Sequence, residues 1–267
     1  MGELNDRVNR AEFTKVGDII AGMPAGSEIP VGPAVDRPSV CPACGGTGWL
    51  YPVIGGKVIY NRMISCECQA EAIKQQRFRT SRLPELIDGK PPRFDNFDVR
   101  PGTETAYRRA LEMAKGAAPH HFLTLAGETG TGKTHLAIAI GREWLEGGRG
   151  RVLYVKVADV LDELRRGYDD REPGEMSGFD RLMEWLKHVD LLIMDDLGVE
   201  KTTDWSSDKL DSIIDYRYEK GLTTVLTTNL APSQLGSRIE SRLRGGVVVR
   251  IKALDYRQIQ AKRRKSA

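Results

Sequence analysis

The chain has 267 residues, with 40 Lys and Arg against 37 Asp and Glu, for a formal net charge of +3. Its 40% hydrophobic and 29% charged content is that of a globular chain, and so small a charge excess does not by itself indicate a nucleic-acid partner. No apolar run approaches the ~20 residues that span a bilayer and the first residues lack a secretory apolar segment, so a cytoplasmic, membrane-free protein without structural disulfides is expected.

In chain order, residues 1–19 are expected to hold a short helix, and residues 20–40, rich in Pro and Gly, read as a linker. All four cysteines then fall in one window: Cys41 and Cys44 in "CPACGGTG", Cys66 and Cys68 in "CEC". Four thiolates complete a tetrahedral Zn²⁺ shell and leave no position for a reactive water, so such a site is structural. Glycines beside Cys44 allow backbone N–H groups to approach sulfur. The intervening residues predict a hairpin, with strands at 49–54 and 57–64 around Gly55-Gly56, that brings the two pairs together. The alternative is a redox C-x-x-C pair, but no βαβ unit surrounds it and it leaves Cys66 and Cys68 unused. Residues 68–88 have helix-forming composition up to Pro84, and "GKPPRF" at 89–94 breaks it.

From there apolar strands alternate with helices. Strands are predicted at 121–127, 151–157, 190–196, 223–229 and 246–251. Helices are predicted at 105–116, 133–146, 158–167, 179–188, 205–220 and 232–243. This order indicates a parallel sheet covered on both faces. The first strand runs into "GETGTGKTH", which fits the phosphate-loop pattern through Gly127, Gly132, Lys133 and Thr134. Across Gly127, Glu128, Thr129, Gly130, Thr131, Gly132, Lys133, Thr134 and His135, curled backbone and a helix N-terminus present N–H groups to phosphate. Lys133 is expected on the β- and γ-phosphates, and the Thr134 hydroxyl on Mg²⁺. "LLIMDD" delivers Asp195, the second Mg²⁺ holder, and Asp196, which orients the attacking water, at a strand C-terminus where α/β sheets bind ligands. Asn229 ends the next strand, placed either for the γ-phosphate or simply as the start of a turn. In "SRIESRLRGG", Arg238 and Arg242 share a helix face, as a charge-stabilising arginine or as surface charge.

With these residues placed, the chain resembles AAA+ ATPases of the clade holding DnaC/DnaI-type helicase loaders and IstB-type transposition ATPases. The motifs that carry the resemblance are "RFDNF" (93–97), "GETGTGKTHLAIAI" (127–140), "LLIMDDLG" (191–198), "YRYEKGLTTVLTTNL" (216–230) and "RIESRLRGG" (238–246), within residues 91–256. The resemblance implies an α/β P-loop AAA+ core with a five-stranded parallel sheet, and no helical lid in the 16 residues after Ile251. It casts Asn229 as the sensor-1 residue and Arg242, with Arg238 second, as the finger reaching a neighbour's ATP site. It also implies ATP-dependent oligomers on single-stranded DNA. Residues 158–170 resemble the clade's helical insertion, where Arg165, Arg166 and Tyr168 are candidate DNA contacts. A cysteine-rich module before this core resembles DnaI-type loaders. The implied organisation is a segment and linker (1–40), a Zn²⁺ module with its helix docking on a replicative helicase hexamer (41–90), the ATPase (91–256) and a basic tail (257–267). The implied function is loading that helicase on single-stranded DNA. The alternatives are a transposition ATPase acting on duplex DNA with a transposase, and a nucleotide-switched binding module with negligible hydrolysis.

Overall fold

The computed structural model describes residues 12–15 (backbone only), 41–54, 57–59, 63–87, 89–167, 176–198, 203–256, 258 and 259. The linker at 20–40 and the basic tail from 260 lie outside them, as does Gly55-Gly56. The chain divides into two compact units, Met1–Gln76 and Arg77–Ala267, and the division falls within a helix.

The first unit is a small antiparallel sheet built on strand β2 (Trp49–Ile54). β2 pairs with β1 (Glu12–Lys15), β3 (Lys57–Val58) and β4 (Ile64–Ser65). The expected hairpin is present, but its second arm is two short strands instead of one from 57 to 64. Of residues 1–19, expected to hold a short helix, only Glu12 to Lys15 are described, and these lie opposite Val53 to Leu50 as a strand; the rest of that segment lies outside the described residues. Helix α1 (Glu67–Thr80) follows directly. The buried centre of this unit holds Cys44, Leu50 and Cys66, with Cys41, Ile64 and Cys68 packed against them. Among the described residues this buried apolar surface is small, and so small a core stabilises a fold poorly unless something else cross-links it.

The second unit carries five parallel strands: β5 (Phe122–Gly127), β6 (Val152–Lys156), β7 (Leu191–Leu197), β8 (Thr223–Thr228) and β9 (Val247–Ile251). Their order across the sheet is β6-β7-β8-β5-β9. The chain thus leaves the interior strand β5 for the far edge, returns strand by strand, and crosses β5 to the other edge. Ligands of open α/β sheets bind at such a reversal. The connecting helices are α2 (Glu104–Ala114), α3 (Lys133–Glu146), α4 (Val157–Arg166), α5 (Gly178–His188), α6 (Asp204–Glu219) and α7 (Ser237–Arg244). The expected helix over 232–243 is broken. A 3₁₀ turn, Pro232–Gln234, precedes Gly236, whose φ of 87° stops it before α7 begins.

Strand alternation sorts the core into two layers. Leu123, Leu125, Val152, Tyr154, Leu191, Ile193 and Val225 face α2 and α3. Phe122, Leu153, Val155, Leu192, Met194 and Leu226 face α4 to α7. Asp195 and Thr227 continue the first alternation, so they emerge on the face that α3 covers. Among the described residues no helix is long and apolar enough to cross a membrane.

Candidate functional site

The loop between β5 and α3 is the site's floor. Gly132, with φ 98°, is the residue before the helix, and a Cβ there would lie 2.7 Å from Phe97. Only glycine takes this backbone in this space without strain. The Lys133 ammonium donates to the carbonyls of Gly127 (2.9 Å) and Glu128 (2.8 Å). Burial lowers its pKa, while the nearby Asp196 and Asp195 charges pull it back up.

Thr134, on the first turn of α3, meets β7 across the site: its hydroxyl donates to both Asp195 oxygens, at 3.0 and 3.2 Å. Asp195 is buried and also accepts from Tyr154 (2.7 Å) and Thr227 (2.6 Å). The two residues expected to hold Mg²⁺ are therefore brought into direct contact. Next to them, the β7–β8 pairing is irregular between Met194 and Leu197, and Asp196 takes a left-handed φ of 59°. Its N–H donates to the Thr227 hydroxyl at 2.9 Å. Burial raises the Asp196 pKa first and the Asp195 charge adds to it, against Lys133 and Lys156. A single non-glycine residue in this conformation at a ligand-facing strand end is stored strain.

Asn229 follows β8, exposed, and lines a cavity of about 710 Å³ together with Gly127, Glu128, Arg100 and Arg250. His135 directs its ring away from the loop. Its Nε2 donates to the Arg93 carbonyl (2.8 Å) and its ring packs edge-on to Phe97. What His135 offers the loop is its backbone, while its side chain fastens the "RFDNF" segment. The segment after β9 also reaches the loop: the Tyr256 N–H donates to the Gly130 carbonyl, and a Cβ on Gly130 would strike the Asp255 carboxylate.

A buried carboxylate bonded to the hydroxyl of a phosphate loop, beside a second acid at a strand end, is the geometry of a Mg²⁺-nucleotide site. The model of the IstB-like ATP binding protein family matches residues 75–242. The chain belongs to that family. It is 32% identical over 192 residues to the replicative helicase loader DnaC of Escherichia coli, covering 69% of this chain and 76% of DnaC. It is 34% identical over 159 residues to the uncharacterized protein YdaV of Escherichia coli, covering 56% of this chain; it spans 60% of YdaV, under two thirds of that relative's length. Among solved structures, domain III of the Thermotoga maritima replication initiation protein DnaA superposes with a TM-score of 0.55 at 27% identity, covering 65% of this chain and 72% of that one. The fold is accordingly the AAA+ type that the motifs imply, and its loop is an ATP-binding site by family.

Within this IstB-like unit, the arginines of α7 face α6. Arg242 donates to Asp215 at 2.7 Å and lies over the Tyr218 ring, 5.0 Å from its centre. Arg238 is 3.9 Å from Asp211 and more exposed. On α4, Arg165 lies over the Trp205 ring at 4.8 Å and 3.7 Å from Asp162; Arg166 donates to the Asp162 carbonyl. Tyr168 lies outside the described residues.

In the first unit, the four cysteine sulfurs lie within 4.8 Å of one another. Cys41 and Cys66 are 3.8 Å apart, Cys44 and Cys68 3.4 Å. Roughly 3.8 Å is the edge of a tetrahedron whose metal–sulfur distance is ~2.3 Å, whereas a disulfide requires ~2.05 Å. The Gly48 N–H donates to Cys44 Sγ at 3.1 Å, as the glycine-rich turn anticipated. Burial pushes the Cys44 thiol up, but hydrogen bonds from Gly48, Cys68, Cys41 and Gly46 outweigh it and bring the pKa down to about 6. Burial raises Cys66 and Cys68. The donor set fits a divalent, thiophilic ion.

The phosphate loop, Asp195 and the cysteine quartet were all visible in sequence. Tyr154, Thr227 and the Asp255 approach were not. The first two sit in apolar strands with nothing to mark them as polar partners, and the third depends on how the chain turns after β9.

Proposed function

We propose that this protein is an ATP-dependent loader of a replicative DNA helicase onto single-stranded DNA during replication initiation. One conjunction supports the reading: an ATP site with Thr134 bonded to Asp195, in a chain 32% identical to DnaC over 76% of DnaC's length. When nucleotide binds, Lys133 exchanges its loop carbonyls for the β- and γ-phosphates, and the loop N–H groups from Gly127 to His135 cradle them. The Thr134 hydroxyl and Asp195 hold Mg²⁺, which offsets phosphate charge. Asp196, a stronger base than an ordinary aspartate, orients the attacking water, and Asn229 reads the γ-phosphate. Arg242 acts in trans on a neighbour's site within an oligomer, releasing Asp215 to do so; Arg238 is the second choice. Arg165, Arg166 and Tyr168 contact the DNA strand.

Cys41, Cys44, Cys66 and Cys68 hold one structural Zn²⁺. The module they fold, with its following helix (41–90), docks on the helicase hexamer, while residues 91–256 form the cytoplasmic ATPase. The test is complex formation: the purified protein is mixed with its host's replicative helicase, with and without ATP, and the mixture is resolved by size. A complex supports loading; no complex under any nucleotide condition removes it.

The IstB-like family match keeps the second reading that the motif resemblance implies, a transposition ATPase acting on duplex DNA. Turnover stimulated by duplex and not by single strands, together with binding to a transposase, supports that reading instead.

A further inference from the structure

Asp195 is held from behind as well as from the front. Tyr154, Asp195 and Thr227 lie on the same face of three adjacent strands, β6, β7 and β8. In the β6–β7 register Lys156 is opposite Asp195 and Tyr154 opposite Ile193, so Tyr154 starts one pleat behind the carboxylate. Its ring spans that offset, and its hydroxyl donates to Oδ2 at 2.7 Å. From the other side, Thr227 donates to Oδ1 at 2.6 Å. The same Thr227 hydroxyl accepts the Asp196 N–H at 2.9 Å. Tyr154 is 5% exposed and Thr227 fully buried, so neither bond competes with bulk water.

An ordinary core reading is that these hydroxyls simply found the nearest acceptor. The surroundings argue otherwise. Val152, Leu191, Ile193 and Val225 form this apolar layer, and Phe and Val would fill the two positions with no polar group to satisfy. Instead, two buried hydroxyls from two strands converge on one carboxylate, one on each oxygen. A carboxylate offers about four lone-pair sites. Two are taken from behind, and the remainder face Thr134 and the loop.

We propose that Tyr154 and Thr227 are positioning residues for the nucleotide's metal ion. They fix the rotation of Asp195 so that its free lone pairs point at Thr134. Thr227 has a second duty: by accepting the Asp196 N–H it holds the left-handed backbone that aims the second acid. The inference rests on reading Thr134 and Asp195 as a Mg²⁺-nucleotide site, and the test separates the two.

The experiment titrates Mg²⁺ against binding of a fluorescent, non-hydrolysable ATP analogue to the full chain, with a matched titration of the analogue in EDTA. Tyr154→Phe keeps the ring and removes the bond. Its half-saturating Mg²⁺ concentration is expected to rise about 10- to 100-fold, the range for losing a group that orients a metal ligand. Affinity in EDTA is expected to stay within about twofold, which a merely structural loss would not spare. Thr227→Val is expected to show the same shift, and Thr227→Ser, which restores the hydroxyl, to recover wild-type behaviour. Tyr154→Phe with an unshifted Mg²⁺ dependence overturns the positioning role. A wild-type protein that binds the analogue identically with and without Mg²⁺ overturns the site reading beneath it as well.

Discussion

Arg217 is fully buried, and among the described residues no carboxylate is in hydrogen-bond contact with it. Its guanidinium donates to the carbonyls of Leu186, Lys187 and Val189 at the end of α5, and to Thr224 Oγ1 and the Thr223 carbonyl on β8. The negative end of the α5 dipole and five acceptors keep the charge, although burial pulls its pKa down to about 9. Replacing it by Met strands several buried carbonyls, and we expect about 3–5 kcal/mol lost in denaturant unfolding. His135 gives a pH signature. Burial lowers its pKa, so the folded chain prefers the neutral ring. That preference stabilises fully above about pH 6.5 and is lost as pH falls below it, where the unfolded chain takes up the proton first. The acid side of the stability profile is therefore expected to flatten in His135→Gln. Lys133→Ala is expected to abolish ATP turnover in a colorimetric phosphate assay while leaving the circular dichroism spectrum unchanged.

At the scale of elements, the phosphate loop and the five strands were legible because each is local: a strand, a glycine turn and a helix N-terminus adjoin in sequence. What escaped depends on distant partners. The four-residue strand Glu12–Lys15 has no period long enough to read, and its partner begins at Trp49. Asp196 looked like the second of two acids ending a strand. The bulge and the left-handed backbone that aim it follow from pairing with β8. Arg242 reads as a free arginine on a helix, yet the α6–α7 packing gives it Asp215. The cysteine quartet was legible by spacing alone, and its unit tests metal dependence. Among the described residues few apolar ones besides the thiols are buried there, so an ion bound by the quartet would supply much of the unit's folding energy. We expect about one zinc per chain by atomic absorption. Strong chelation is expected to abolish helicase binding, with nucleotide binding retained. Cys44→Ser is expected to have the same effect without chelator.

For the whole molecule, the sheet order β6-β7-β8-β5-β9 places β8, with Thr227 and Asn229, between the phosphate-loop strand and the strand bearing both acids. In the proposed function, nucleotide state would be read from two neighbouring strand ends at once. The sheet order itself was not readable from the motifs, because it depends on which strands pair across the folded chain. In the proposed loader function, the cysteine unit would hold the helicase while the ATPase grips DNA and releases on turnover. The most direct measurement is helicase transfer to single-stranded DNA circles coated with binding protein, followed by strand unwinding. Loading is expected to require this protein and ATP, and to fail with Lys133→Ala. Equal helicase loading with and without the protein would contradict it.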